Sequence, residues 1–160
     1  MRSTRTCPTN PGTAVSGVAT FAGCKINKSG VGYTLTATIT GPITANSATF
    51  NITVGAASQL AFTTQPGGGT GGTAWTTQPV VTVQDAGGNT VTGSTASVTL
   101  AIGTNPPGTG VLTCTANPKA AVAGVDTFAA CKIDKAGTGY TLVATATGLT
   151  SATSAPFTIT

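Results

Sequence analysis

Apolar and polar residues alternate with period two through most of this chain, and Gly, Pro, Asn or Asp interrupt the alternation at intervals of about 10 residues. In VVTVQDAGGNTV, Val81 and Val83 alternate with Thr82 and Gln84 ahead of a turn from Asp85 to Asn89, built from residues that tolerate positive φ. SVTLAI places Val98, Leu100 and Ile102 on one face, and GYTLVATAT sets Leu142, Ala144 and Ala146 against Thr141, Val143, Thr145 and Thr147. Phe157 and Ile159 continue the pattern in SAPFTIT. No window long enough for a helix keeps a 3.6-residue period, because Gly, Thr and Val punctuate all of them. SQLAFTTQP ends at Pro66, and TAWTTQP, which carries the single tryptophan Trp75, ends at Pro79; segments that stop at proline read as edge strands. VLTC and VDTFAACKI complete the set. About seven or eight short strands beyond residue 54 predict a two-sheet β-sandwich.

The pattern itself repeats. Residues 7–53 recur without a gap at 114–160, pairing Cys7 with Cys114, Cys24 with Cys131, Tyr33 with Tyr140 and Phe50 with Phe157 at a constant offset of 107. The expected organisation is therefore an all-β chain of sandwich repeats. Residues 54–160 form one complete module, entered through a linker at 54–58, and residues 1–53 form the C-terminal half of another. That half lacks counterparts of VVTVQ and SVTLAI. Its four expected strands are a stub near Cys7, VATFAGC, GYTLTATIT and ATFNITV. Their inward residues, Val18, Thr20 or Phe21, Leu35, Ala37, Phe50 and Ile52, face no opposing sheet, and a segment of this size struggles to fold alone. Val18, Phe21, Leu35, Phe50 and Ile52 are accordingly the candidate assembly face. MRSTR at residues 1–5 stands where the repeat has GTGVL, so a basic stub replaces an apolar pair. Three readings of the half-module stay open: a cut from a longer array, a subunit completed by another copy, or a disordered segment. In the second, an open edge accepts a neighbour's strand, and head-to-tail contacts of that kind build open filaments.

Composition removes most chemistry. The chain has no histidine, only three acids (Asp85, Asp126, Asp134) and seven Lys plus Arg, so a Ser/His/Asp or Cys/His nucleophile cannot be assembled, and no catalytic residue, cofactor site or metal site is expected. The absence of an apolar run of about 18 residues excludes a spanning helix. No apolar stretch follows the first arginines, so residues 1–5 do not read as a signal peptide; export would need a signal upstream or already removed.

The strings VVTVQDAGGNTVTG and GVDTFAACKIDKAGTGYTLVATA together resemble the bacterial immunoglobulin-like repeats of invasin- and intimin-type surface proteins and long adhesins. The resemblance covers nearly the whole chain after about residue 6. It implies an immunoglobulin-like sandwich and a rigid extracellular spacer or stalk, and it carries over no catalytic residue. The paired cysteines depart from the commonest form of such repeats.

Four cysteines allow three connectivities, and a module in an array must close its own bridge, which pairs Cys7 with Cys24 and Cys114 with Cys131; four buried free thiols are the alternative. Disulfides imply an exported, oxidising location. The net charge of +4 gathers partly at one turn per repeat, Lys25 and Lys28 in CKINKSG, Lys132 and Lys135 in CKIDKAG. A solvated turn is the plain reading, and contact with an anionic cell-wall polymer or surface glycan is the sharper one, with these four lysines as candidate contacts. No aromatic residues interleave with them, which argues against nucleic acid. Thr34, Thr36, Thr38 and Thr40 form an outward Thr row that the second copy breaks at Val143. The expected function is an extracellular structural protein, a stalk or the subunit of a surface filament joined by strand complementation. Its partners are then further copies of itself or flanking repeats of a longer chain. A glycan- or wall-polymer-binding adhesion module is the alternative.

Overall fold

A computed structural model describes residues 5–41, 43–106 and 108–160, and among them it is all-β with no helix. The chain divides into two compact units, Met1–Val54 with Gly87–Asn89, and Gly55–Ala86 with Thr90–Thr160. Apart from Arg5, the basic stub lies outside the described residues.

In the first unit β1 (Arg5–Thr6) pairs antiparallel with β2 (Lys25–Ile26), β3 (Gly30–Tyr33) with β6 (Phe50–Ile52), and β4 (Thr36–Thr38) with β5 (Thr44–Asn46). Each is a two-stranded ribbon. The second unit contains β7 (Gln59–Thr64), β8 (Val80–Gln84), β9 (Ser97–Ile102), β10 (Leu112–Thr113), β11 (Lys119–Ala120), β12 (Val125–Thr127), β13 (Lys132–Ile133), β14 (Gly137–Tyr140), β15 (Leu142–Thr145), β16 (Ala152–Thr153) and β17 (Phe157–Ile159). Three of its ribbon pairings, β10 with β13, β14 with β17, and β15 with β16, fall at the positions of the first unit's pairs plus 107. The additions are β7, β8 and β9 and the two short strands β11 and β12 that pair with them. They extend the pairings to a four-stranded sheet, β11-β9-β15-β16, and a three-stranded sheet, β12-β8-β7.

The hydrophobic core lies in the second unit, where Val81, Val83, Val98, Phe128, Ile133, Tyr140, Leu142 and Ala144 are all fully buried. β9 and β17 follow the sequence alternation, with Val98, Leu100, Phe157 and Ile159 buried, Ser97, Thr99, Ala101 and Thr158 exposed, and Ile102 half-buried at the strand end. Burying one such side chain contributes about 1.5–3 kcal/mol, which is what a chain with so little charge has available. Thr82 departs from the expectation: it is buried between Val81 and Val83 and satisfies its hydroxyl against Ala61 O (3.4 Å) and Gln84 Nε2 (3.0 Å).

Several expected strands are corrected, GYTLTATIT and GYTLVATAT among them, each of which divides between two strands (β3 and β4, β14 and β15). TAWTTQP forms no strand; Trp75 is buried, and its backbone N–H donates to Cys131 O at 3.1 Å. Gln78 does the work of a ladder there, accepting from Cys131 N (2.8 Å) and donating to Trp75 O (2.6 Å). VDTFAACKI is two strands, β12 and β13, broken where Ala130 adopts a left-handed φ of 52°. In the first unit VATFAGC forms no strand, only a bridge between Val15 and Val18. Its counterpart β12 is held by β8, and the first unit has no β8.

Candidate functional site: an open edge over an apolar cavity

The same side chains meet different fates in the two units. Phe21 is 45% exposed whereas Phe128, 107 residues on, is 0% exposed. Leu35, Phe50 and Ile52 are half-buried, while Leu142, Phe157 and Ile159 are buried. Val18 is exposed and its counterpart Val125 half-buried. The five residues expected to form an assembly face therefore keep surface open to solvent, Val18 and Phe21 most of all. Tyr33 stacks on Phe50 with ring centroids 6.1 Å apart, as Tyr140 stacks on Phe157 at 6.0 Å. Each Tyr hydroxyl donates to a carbonyl five residues back, Lys28 O (3.0 Å) and Lys135 O (2.9 Å). Burial pushes the Tyr140 phenol up, with the Asp134 charge adding to it.

Two of the five, Phe21 and Leu35, line a cavity of about 360 Å³ together with Ala37, Asn10 and the Cys7–Cys24 disulfide, whereas Val18, Phe50 and Ile52 do not. One wall is β4. Leu35 O accepts from Ser47 N–H (2.8 Å) and Ile39 N–H donates to Ile43 O (3.3 Å), so the odd-numbered residues of β4 spend their backbone groups on β5. The backbone N–H and C=O of Thr36 and Thr38 consequently point to the opposite edge, which carries no strand. In the second unit that edge is occupied. β9 lies along β15 with Ile102 opposite Leu142, Ala101 opposite Val143, Leu100 opposite Ala144 and Thr99 opposite Thr145.

Asn117 holds the occupant from its other side. Its carboxamide accepts from Leu100 N–H (2.8 Å) and donates to Leu100 O (2.7 Å), reading the backbone as another strand would. The residue 107 positions earlier is Asn10, at the rim of the cavity, and among the described residues its carboxamide makes no hydrogen bond. Nothing in the alternation pattern singles out these asparagines; the offset alone could have paired them.

The disulfides Cys7–Cys24 and Cys114–Cys131 form as expected, each across 17 positions, and they place the chain in an oxidising environment. No helix is long and apolar enough to cross a membrane. Among the described residues no cluster of three potential metal ligands occurs.

The four candidate lysines have different surroundings within their own units. Lys25 is exposed on β2, and Lys28 donates to Gly87 O (2.7 Å) and Gly88 O (2.9 Å) within the first unit. Lys132 is half-buried on β13, and Lys135 lies 3.7 Å from the Asp134 carboxylate. A hydrogen bond from the Val111 amide, with Lys135 beside it, holds the Asp134 carboxyl below its ordinary range. Asp126 is the opposite case: fully buried on β12, neither oxygen hydrogen-bonded, its pKa is raised to about 6 by desolvation against the opposing pull of Lys119.

No protein-family model and no curated protein sequence matches the chain.

Proposed function

We propose that this chain is a structural segment of an extracellular array, built of immunoglobulin-like β-sandwich repeats and serving as a stalk whose modules complete one another by strand addition. The single observation that carries the reading is the fate of the repeated face. Leu142, Phe157 and Ile159 are buried where β7, β8 and β9 are present, and Leu35, Phe50 and Ile52 keep exposed surface where those strands are missing. A protein whose polar groups are mostly Thr hydroxyls and whose cysteines are all bridged is suited to bearing load rather than to proton or group transfer. The resemblance to bacterial surface repeats supports reading such a stalk as a cell-surface one.

Single-molecule extension of the oxidised chain, held at its ends, tests the mechanical role. A stalk gives one high-force event from the complete module, lengthening by about 30 nm, because the 17 positions spanned by the disulfide stay closed. Featureless extension at low force would sink the reading. The rival, an adhesion module working through Lys25, Lys28, Lys132, Lys135 and the Thr faces, is favoured instead by retention on an anionic polymer that rising salt abolishes.

A further inference from the structure

We infer that the open edge of β4 is a strand-docking site, with Asn10 as its backbone-reading residue. Its occupant is an antiparallel segment of the β9 kind, alternating apolar residues as Val98, Leu100 and Ile102 do, borne by polypeptide other than a copy of residues 1–160. This rests on the strand-addition reading above and specifies its register, its recognition residue and its partner.

The occupied copy supplies the template. Subtracting 107 from the β9–β15 register sets the incoming strand with its Ile102-type residue opposite Leu35, its Leu100-type residue opposite Ala37 and its Thr99-type residue opposite Thr38. The backbone groups of Thr36 and Thr38 then take up ladder bonds, as those of Val143 and Thr145 do. Thr34 stands where Thr141 accepts the Gly103 N–H on its carbonyl (2.8 Å) and the Thr104 N–H on its hydroxyl (2.8 Å), so the docked strand is gripped beyond its apolar part as well. From the far side Asn10 meets the amide and carbonyl of the Leu100-type residue, as Asn117 does. The apolar side chains of the segment enter the 360 Å³ cavity over Phe21 and the disulfide.

Stoichiometry decides against a second copy. Residues 1–160 hold the C-terminal half of the repeat twice, at 7–53 and 114–160, and the half that carries β9 once. That β9 is already bonded on both edges, to β11 and to β15, so a second copy offers no free strand without opening its own module.

Titration of the oxidised, isotope-labelled full chain with the nonapeptide ASVTLAIGT (residues 96–104, lysine-tagged for solubility) tests this by NMR. The expected result is saturable shifts at the Thr36 and Thr38 amides and at the Asn10 carboxamide. Hydrogen exchange slows at Thr36 and Thr38, and exchange at Ala37, already turned toward β5, stays as it was. The same peptide with Leu100→Pro, which lacks the N–H that Asn10 accepts, binds at least about tenfold more weakly. In the Asn10→Ala chain the two peptides come within about threefold of each other; should that variant lose its dispersed spectrum, the peptide pair on the unaltered chain decides alone. No saturable shift up to about 1 mM peptide overturns the inference. So does equal binding of a scrambled peptide, or protection of Thr36 and Thr38 that grows with concentration of the chain alone, which makes a second copy the occupant. Failure here with the high-force event intact removes the docking site and leaves the stalk.

Discussion

Asp126 is a buried carboxyl on the edge strand β12 with neither oxygen hydrogen-bonded, and its repeat counterpart is Ala19. Desolvation raises its folded-state pKa to about 6, whereas in the unfolded chain it titrates near its model value of 3.8. The folded state therefore holds the extra proton between these values, and stability falls as pH rises through that window. With no histidine in the sequence, no imidazole masks the effect. Asp134, held below its ordinary range, acts the other way and at lower pH, losing its contribution as pH falls through its depressed pKa. Thermal melts from pH 4 to 8 are expected to decline across pH 4–6.5 for the parent chain and to be flat there for Asp126→Ala; parallel profiles would refute the assignment. Asn117 presents the second residue-scale prediction. Asn117→Ala leaves the Leu100 amide and carbonyl without their partner, and about 2–3 kcal/mol of stability should be lost, read as a lower urea midpoint. Neither residue announces itself in the sequence: an aspartate in VDT reads as an outward polar position, and an Asn-Pro pair reads as an ordinary loop.

At the scale of elements, period-two alternation locates β8, β9, β15 and β17 because each keeps one partner set along its length. It is blind to a strand that changes partners. GYTLVATAT alternates without interruption, yet it starts in β14, which pairs with β17, and continues as Leu142–Thr145, which pairs with β9 and β16, so one run serves two ribbons. VDTFAACKI divides in the same way at Ala130. Trp75 misleads for another reason: Gln78 replaces the ladder with side-chain bonds, and side-chain substitution for backbone pairing leaves no periodic trace. Gly124 and Gly17 share left-handed φ values of 73° and 79°, but a Cβ at 124 would run into the Val91 carbonyl and one at 17 meets nothing. The turn is thus encoded locally, and only its surroundings differ. The bridges were legible because spacing repeats. Replacing both Cys114 and Cys131 with Ser is expected to cost the complete unit about 3 kcal/mol while leaving it folded, as loop closure over 17 positions implies. The equivalent Cys7 and Cys24 pair ties a unit without a buried core, so its loss should abolish ordered resonances in residues 5–54. Near-native spectra there would contradict this.

The whole molecule holds a buried core on one side of residue 54 and an incomplete copy of it on the other. Among the described residues, all the buried hydrophobic ones, from Leu60 to Ile159, belong to the second unit. Cooperative stability scales with apolar area buried, so native-state hydrogen exchange should find its slowest amides within β7 to β17, and the ladders of β1 to β6 should open at far lower free energy. The offset that exposes the deficit also prescribes its repair. Joining a copy of residues 55–113 directly ahead of Cys7 restores the order of elements found in the complete unit, with a β8 for the segment at Val18 and a β9 for the edge of β4. Slow exchange should then extend to Leu35, Ala37 and Ile52, Phe21 should lose its exposure to quenchers, and a second cooperative transition should appear near the first. If those amides stay fast although the added half is intact, the two copies differ in more than missing strands, and the likeness of their ribbons would not extend to their cores. The comparison isolates the question that matters for a stalk, because strength along its length depends on every half-module meeting the strands that close it.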